Sequence, residues 1–338
     1  MAAPLRAAAF PKMTKPSTII SCLLPLIISA AVALGAWEAV KGPTNGLIRD
    51  LDFVNANSGW AAADEAILRY QNGTWTVNKK FETPYFVGAI DAYDDKCAWA
   101  AVKARYTPTT MYYWDGSSWT AKDVIDDGFA ALAICAKDEG WGCSSTKVYH
   151  WDGSSWRVEG PSTSPWGFYD IEFYDGNYGF LSGDYGRTWK YVNGTWYPVP
   201  VPASENLERV VVIAPEEVWA AGWRSLGMDR MGVIGHYRRG NWAIYDFPGI
   251  FHFGGIGMAD NLFGWASGIH KEKGNVMLKW DGVKWAYVRM PIPAQVFEIA
   301  TLSREDAWAC GSGGWFLRYR TGPGVTPSSL GRIKAIFK

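Results

Sequence analysis

Two interleaved series of aromatic residues, seven in each, run through this chain with a period of about 40 residues. The first is Trp60, Trp99, Trp141, Phe180, Trp219, Trp265 and Trp308, set in small-residue runs such as Gly59-Trp60-Ala61-Ala62. The second is Trp37, Trp75, Trp119, Trp156, Trp196, Trp242 and Trp285, mostly reached through a tight turn, as in Trp114-Asp115-Gly116-Ser117-Ser118-Trp119. From each member of the second series to the next of the first the distance is 23, 24, 22, 24, 23, 23 and 23 residues. Within that near-constant unit, apolar residues stand nine and seven places before the first-series aromatic, as in Leu51 and Phe53 or Leu132 and Ile134. This is the period-two alternation of a strand. Four strand-like pieces per unit mark the blade of a propeller. The expected fold is therefore all-β, a seven-bladed β-propeller over residues 37–322, with four-stranded antiparallel blades lettered a to d from the centre outward.

The turns between strands c and d read Asn72-Gly73, Asp115-Gly116, Asp152-Gly153, Asn193-Gly194, Arg239-Gly240, Asp281-Gly282 and Thr321-Gly322. Asn-Gly and Asp-Gly suit two-residue hairpins because those turns need positive φ. The seventh is followed by Pro323 and no tryptophan, so the last blade lacks an outer strand of its own. Trp37 stands one strand ahead of blade 1 and is expected to supply it, closing the ring and removing an open sheet edge.

The first 36 residues carry Arg6, Lys12 and Lys15 and no acid, so that of 33 basic residues 30 remain in the body against 33 acids. Such a body has no electrostatic footprint for nucleic acid. Residues 1–36, with an apolar run from Ile19 to Leu34 and small residues to Ala36, read as a signal peptide, and Met13 offers an alternative start. An uncleaved anchor is the other reading of the same run. Cleavage is expected between Ala33 and Trp37, and the destination is periplasmic, extracellular or attached to the cell envelope. An oxidising compartment permits disulfides. Cys135 and Cys143, flanking the turn Lys137-Asp138-Glu139-Gly140, are the candidate bridge, with small buried thiols as the alternative. No metal-ligand spacing is found among the cysteines and His150, His236, His252 and His270, and no cofactor is expected.

From strand-b aromatic to turn glycine the count is 13, 17, 12, 14, 21, 17 and 14, so length variation is concentrated in the b-to-c connections. In a propeller these share one face with the d-to-a connections, and variable loops disproportionately carry binding residues. The candidate binding residues are Arg105 and Tyr106 in blade 2, Trp223, Arg224 and Arg230 in blade 5, His270 and Lys271 in blade 6, and Trp166 in a neighbouring d-to-a connection. Arginine and aromatic anchors suit a protein surface, and an anionic glycan is the second choice. Strand a, which lines the channel, carries Asp50, Asp52, Asp91, Asp170, Glu172 and Glu298 with Arg209 among them. No carboxylate pair there has a spacing that reveals acid–base chemistry, and no catalytic residue is assigned.

Ser182-Gly183-Asp184-Tyr185-Gly186-Arg187-Thr188-Trp189 fits the Asp-box pattern S-x-D-x-G-x-T-W, although it falls on a b-to-c hairpin and not on a c-to-d turn. Blades built as G-W-A-x-small followed by Y-x-D/N-G-x-W resemble the secreted bacterial propellers with neuraminidase-like repeats, among them the photosystem II stability and assembly factor family. The resemblance covers about residues 37–322. It implies a non-enzymatic scaffold that docks membrane-protein subunits, so the expected partner is a protein, in one version membrane-associated. A lectin-like glycan binder is the alternative, and a glycan hydrolase or lyase comes last because no catalytic constellation can be named. In the tail, 323–338, Leu330, Ile333 and Phe337 share a helical face, which either packs on the propeller or serves as a basic docking peptide.

Overall fold

The structure is a computed structural model that describes residues 35–164, 167–202 and 205–321. Residues 1–34 of the proposed leader, the tail 323–338 and Trp166 lie outside the described residues. Strands form seven four-stranded antiparallel sheets, six of them built in chain order from four consecutive strands. The seventh has the order Ala36–Lys41, Trp315–Arg320, Asp306–Gly311, Val296–Thr301 from outside inward. Its outer strand is the N-terminal one, with Trp37 opposite Tyr319 and Ala39 opposite Leu317, as the missing outer strand required. At the first c-to-d turn Asn72 and Gly73 both take positive φ, 46° and 98°.

The two aromatic series meet across every blade interface. Each strand-b aromatic packs on the strand-d tryptophan of the following blade: Trp60 on Trp119, Trp99 on Trp156, Trp141 on Trp196, Phe180 on Trp242 and Trp219 on Trp285. Trp265 then packs on Trp37, and Trp308 on Trp75, carrying the pattern through the closure. Centroids lie 5.0–5.9 Å apart and the planes are close to perpendicular. Each edge-to-face pair contributes about 0.5–1.5 kcal/mol beyond its buried area.

A second device lies on strand c. Opposite six of the seven strand-b aromatics stands a basic side chain: Arg69, His150, Lys190, His236, Lys279 and Arg318. His150 and His236 stack on Trp141 and Trp219 at 4.3 and 4.0 Å, and the Arg69 and Arg318 guanidinium groups sit 4.1 and 4.6 Å over Trp60 and Trp308. Three of the bases are held by an acid from the a-to-b end of their own blade, His150 by Glu139, His236 by Glu217 and Arg318 by Asp306. Two of the dispersed histidines are therefore structural.

The expected Cys135–Cys143 bridge is not formed. Cys143 stands opposite Ala131, while Cys135 lies four residues further along strand a, between Ile134 and Ala136, which face Gly140 and Glu139. Four residues of strand separate the thiols by roughly 13 Å. Cys143 is buried, and burial pushes its thiol far above the usual range, as it does for Cys310. The alternative reading, small residues packed behind the strand-b tryptophan, holds for both.

Candidate functional site

All seven strands a carry a bulge at one place, between the residues twelve and ten before the strand-b aromatic. A bulge leaves one residue unpaired and re-aims its neighbours. Here the position after it includes Asp50, Ala131, Asp170 and Glu298, which line a narrow central channel with about 100 Å³ of water-sized space. The acids cap the inner sheet edge. Asp50 accepts the N–H of Ile90, Asp52 that of Ala92 and Asp170 that of Val210, each from the next blade, and Asp91 does the same for Ile134. Arg209 reaches from blade 5 to Glu298 of blade 7 at 3.1 Å and donates to the carbonyls of Phe297 and Glu208. Gly255 and Gly257 give strand a of blade 7 room, since a Cβ at Gly257 would stand 2.4 Å from the Ile299 carbonyl oxygen.

Burial pushes the Asp50 carboxyl up to about 6, against the pull of the Ile90 N–H and Arg209. Glu298 is raised well above the carboxylate range, again by burial, with Arg209 opposing. Among the described residues no cluster of three His, Cys, Asp or Glu is placed to hold a metal ion. At this width the channel admits water but no sugar ring, since ligand pockets run to about 300–1,000 Å³.

The opposite situation holds on the b-to-c face. The 21-residue count in blade 5 is taken up by longer strands and not by a loose loop: Glu217–Leu226 and Asp229–Arg238 pair to their tips, with Trp223 opposite Gly232 and Leu226 opposite Asp229. This rigid arm turns at Gly227, φ 73°, beside the fully exposed Met228. Trp223 donates its indole N–H to Glu208 at 2.8 Å. The Arg230 guanidinium lies 3.7 Å over the Trp223 ring and 5.2 Å from the Phe251 ring of blade 6. Among the described residues Arg230 has no ion-pair partner.

The remaining candidates divide. Arg224 is clamped by the fully buried Glu205 at 2.7 Å and by Asp246 at 3.2 Å, so it holds the arm down. Lys271 pairs with Asp229 and ties the blade 6 hairpin to the arm. His270 uses Nδ1 to accept the N–H groups of Glu272 and Lys273, shaping its own turn. Trp223, Arg224, Arg230, His270 and Lys271 thus gather at the blade 5–6 edge. Arg105 and Tyr106 belong to blade 2, where the guanidinium lies 4.9 Å from a tyrosine ring that is 91% exposed. Sequence reasoning missed Glu205, Glu208, Asp229 and Asp246, and no local signal marks them. The Asp-box hairpin borders the same region, with Arg187 on Asp184 at 2.7 Å, the Gly186 N–H on the Glu205 carbonyl and the exposed Tyr185 beyond.

No family model and no curated protein matches the chain. Solved structures do. YCF48 with a bound D1 peptide superposes with a TM-score of 0.66 at 16% identity, over 85% of this chain and 97% of that one. YCF48 from Cyanidioschyzon merolae gives 0.67 at 17%, over 84% and 99%. The WD40 propeller domain of Doa1 gives 0.60 at 11%, over 86% and 97%. At these identities the likeness is one of fold, and the fold is the seven-bladed propeller read from the repeats.

Proposed function

We propose that this chain is an exported, non-catalytic scaffold that docks a segment of a partner protein on its b-to-c face, centred on the blade 5–6 edge. The observation that carries the reading is Arg230, held between two aromatic rings on a rigid hairpin and, among the described residues, without a carboxylate. Arg and Trp, together with Tyr, dominate the energetics of protein interfaces, and a guanidinium already stacked loses little entropy on meeting an acceptor. Around it stand exposed Met228, Leu226, Phe251 and Tyr185, the mixed apolar and polar rim of a docking surface. YCF48 has been solved with a D1 peptide bound, which supports peptide docking on a propeller of this shape. Export rests on the basic, then apolar, leader, with cleavage between Ala33 and Trp37.

The test is crosslinking and capture from native envelope with wild type, W223A/R230A and R105A. One defined protein captured by wild type and R105A but lost from W223A/R230A supports the reading. Equal capture by all three moves the site off this edge. Mass spectrometry of the mature N-terminus reads the leader, and an intact Met1 or Met13 would overturn processing.

A further inference from the structure

In blades 3, 5 and 7 the strand-c base beside the strand-b tryptophan is met by an acid of its own blade, Glu139, Glu217 and Asp306. Lys190 of blade 4 and Arg69 of blade 1 instead each take a carboxylate from the next blade, and blade 1 has Ser58 at the acid's position. Arg69 must therefore borrow Asp95 from blade 2, a carboxylate whose side chain is 55% exposed. It also donates to Ser58 at 2.7 Å, and its buried Nη1 has no hydrogen-bond partner. An orphaned donor on a charged group is costly. Beside Ser58 lies a cleft of about 540 Å³ between blades 1 and 2, on the face opposite the docking edge.

Arg69, 5% exposed, and Ser58 are the buried members of its lining. Trp114 lies half-buried beside it, fixed by an indole N–H bond to the Asp95 carbonyl and an edge contact with Trp60. Around the opening stand the side-chain amides of Asn57, Gln71 and Asn78, exposed and without protein hydrogen-bond partners among the described residues. We infer that this cleft is a binding site for a neutral, hydroxyl-rich ligand, one or two residues of an uncharged glycan.

The chemistry selects the class. Amides each offer donors and acceptors, matching hydroxyls that do the same. The Arg69 charge is already answered by Asp95, so Lys96 alone is left over, too little for an anionic polymer. The volume lies within the roughly 300–1,000 Å³ of small-ligand pockets. None of the exposed large apolar side chains lines it, unlike the docking edge.

The test probes the protein on an array of neutral and charged glycans, then titrates the tightest neutral glycan calorimetrically. N57A/Q71A/N78A changes only exposed amides, so its thermal midpoint should match wild type while affinity falls at least tenfold. R230A should bind the glycan as wild type does. Retention of no neutral glycan, a preference for charged ones, or equal binding by the triple variant would each overturn the site.

Discussion

The channel wall and the blade 5–6 edge both carry charge, yet they treat it in opposite ways. On the wall, Asp50, Asp52, Asp91 and Asp170 accept backbone N–H groups from the next blade, and Glu298 faces Arg209. At the edge, Arg224 and Lys271 are paired, but among the described residues the Arg230 guanidinium meets only aromatic rings. Charge on the wall is part of the ring's construction, whereas at the edge one charge has no carboxylate among the described residues. The difference shows that a charged residue in a propeller is read by what finishes its hydrogen bonds and not by its position near the axis.

The largest effect should come from opening the ring. Deleting residues 37–41 strips the outer strand from blade 7 and removes Trp37 from between Trp265 and Tyr319. Loss of a buried tryptophan alone costs about 3–5 kcal/mol. That corresponds to a fall of on the order of 10 °C for a chain of this size. Calorimetry should show at least that, and an unchanged midpoint would mean the ring closes otherwise. Next, Arg209→Ala leaves Glu298, Asp50 and Asp170 without their counter-charge and should destabilise by about 2–4 kcal/mol, with Glu298→Gln in the same background restoring part. If the wall charges were dispensable, denaturant midpoints of the two variants would coincide with wild type.

A smaller effect is a pH dependence. The Asp50 carboxyl is raised in the folded state to about 6, so stability from its protonated form is complete below its ordinary value of 3.8 and lost as pH rises through about 6. Between pH 7 and 5 wild type should gain stability relative to Asp50→Asn. His236, lowered by burial, acts in the opposite direction near this window and is common to both proteins, so it cancels in the difference. Asp115 and Asp152, lowered to about 2 by hydrogen bonds from Ser117 and Ser154, titrate below it. Parallel melting curves across pH 5–7 would place Asp50 outside the buried network. Smallest in stability is Arg230→Ala, within about 1 kcal/mol because the side chain is paired only with rings. Its effect should appear in partner capture, which is what separates the edge from the wall.

Much of the fold was readable before any coordinates because a repeat multiplies a weak local signal by seven. Trp37 could be assigned to blade 7 by counting, and the structure places it there. The site was less readable. Arg230 was picked with seven other residues, and nothing in its neighbourhood distinguishes it from Arg224. Their roles diverge because Glu205 and Asp246 come from other strands to reach one and not the other. The 21-residue connection in blade 5 read as a loop because length alone does not separate a loop from a longer hairpin. The cysteine pair failed for a related reason, since nearness across a turn does not fix register.

What the sequence determined by itself was the number of blades, the direction of closure and the two aromatic layers, all consequences of period and alternation along one chain. What only the tertiary structure decided was which charges are finished and which are left over. Hydrogen bonds and ion pairs on the channel wall and at the edge join residues about 20 to 90 positions apart, and at that range sequence proximity carries no information about geometry.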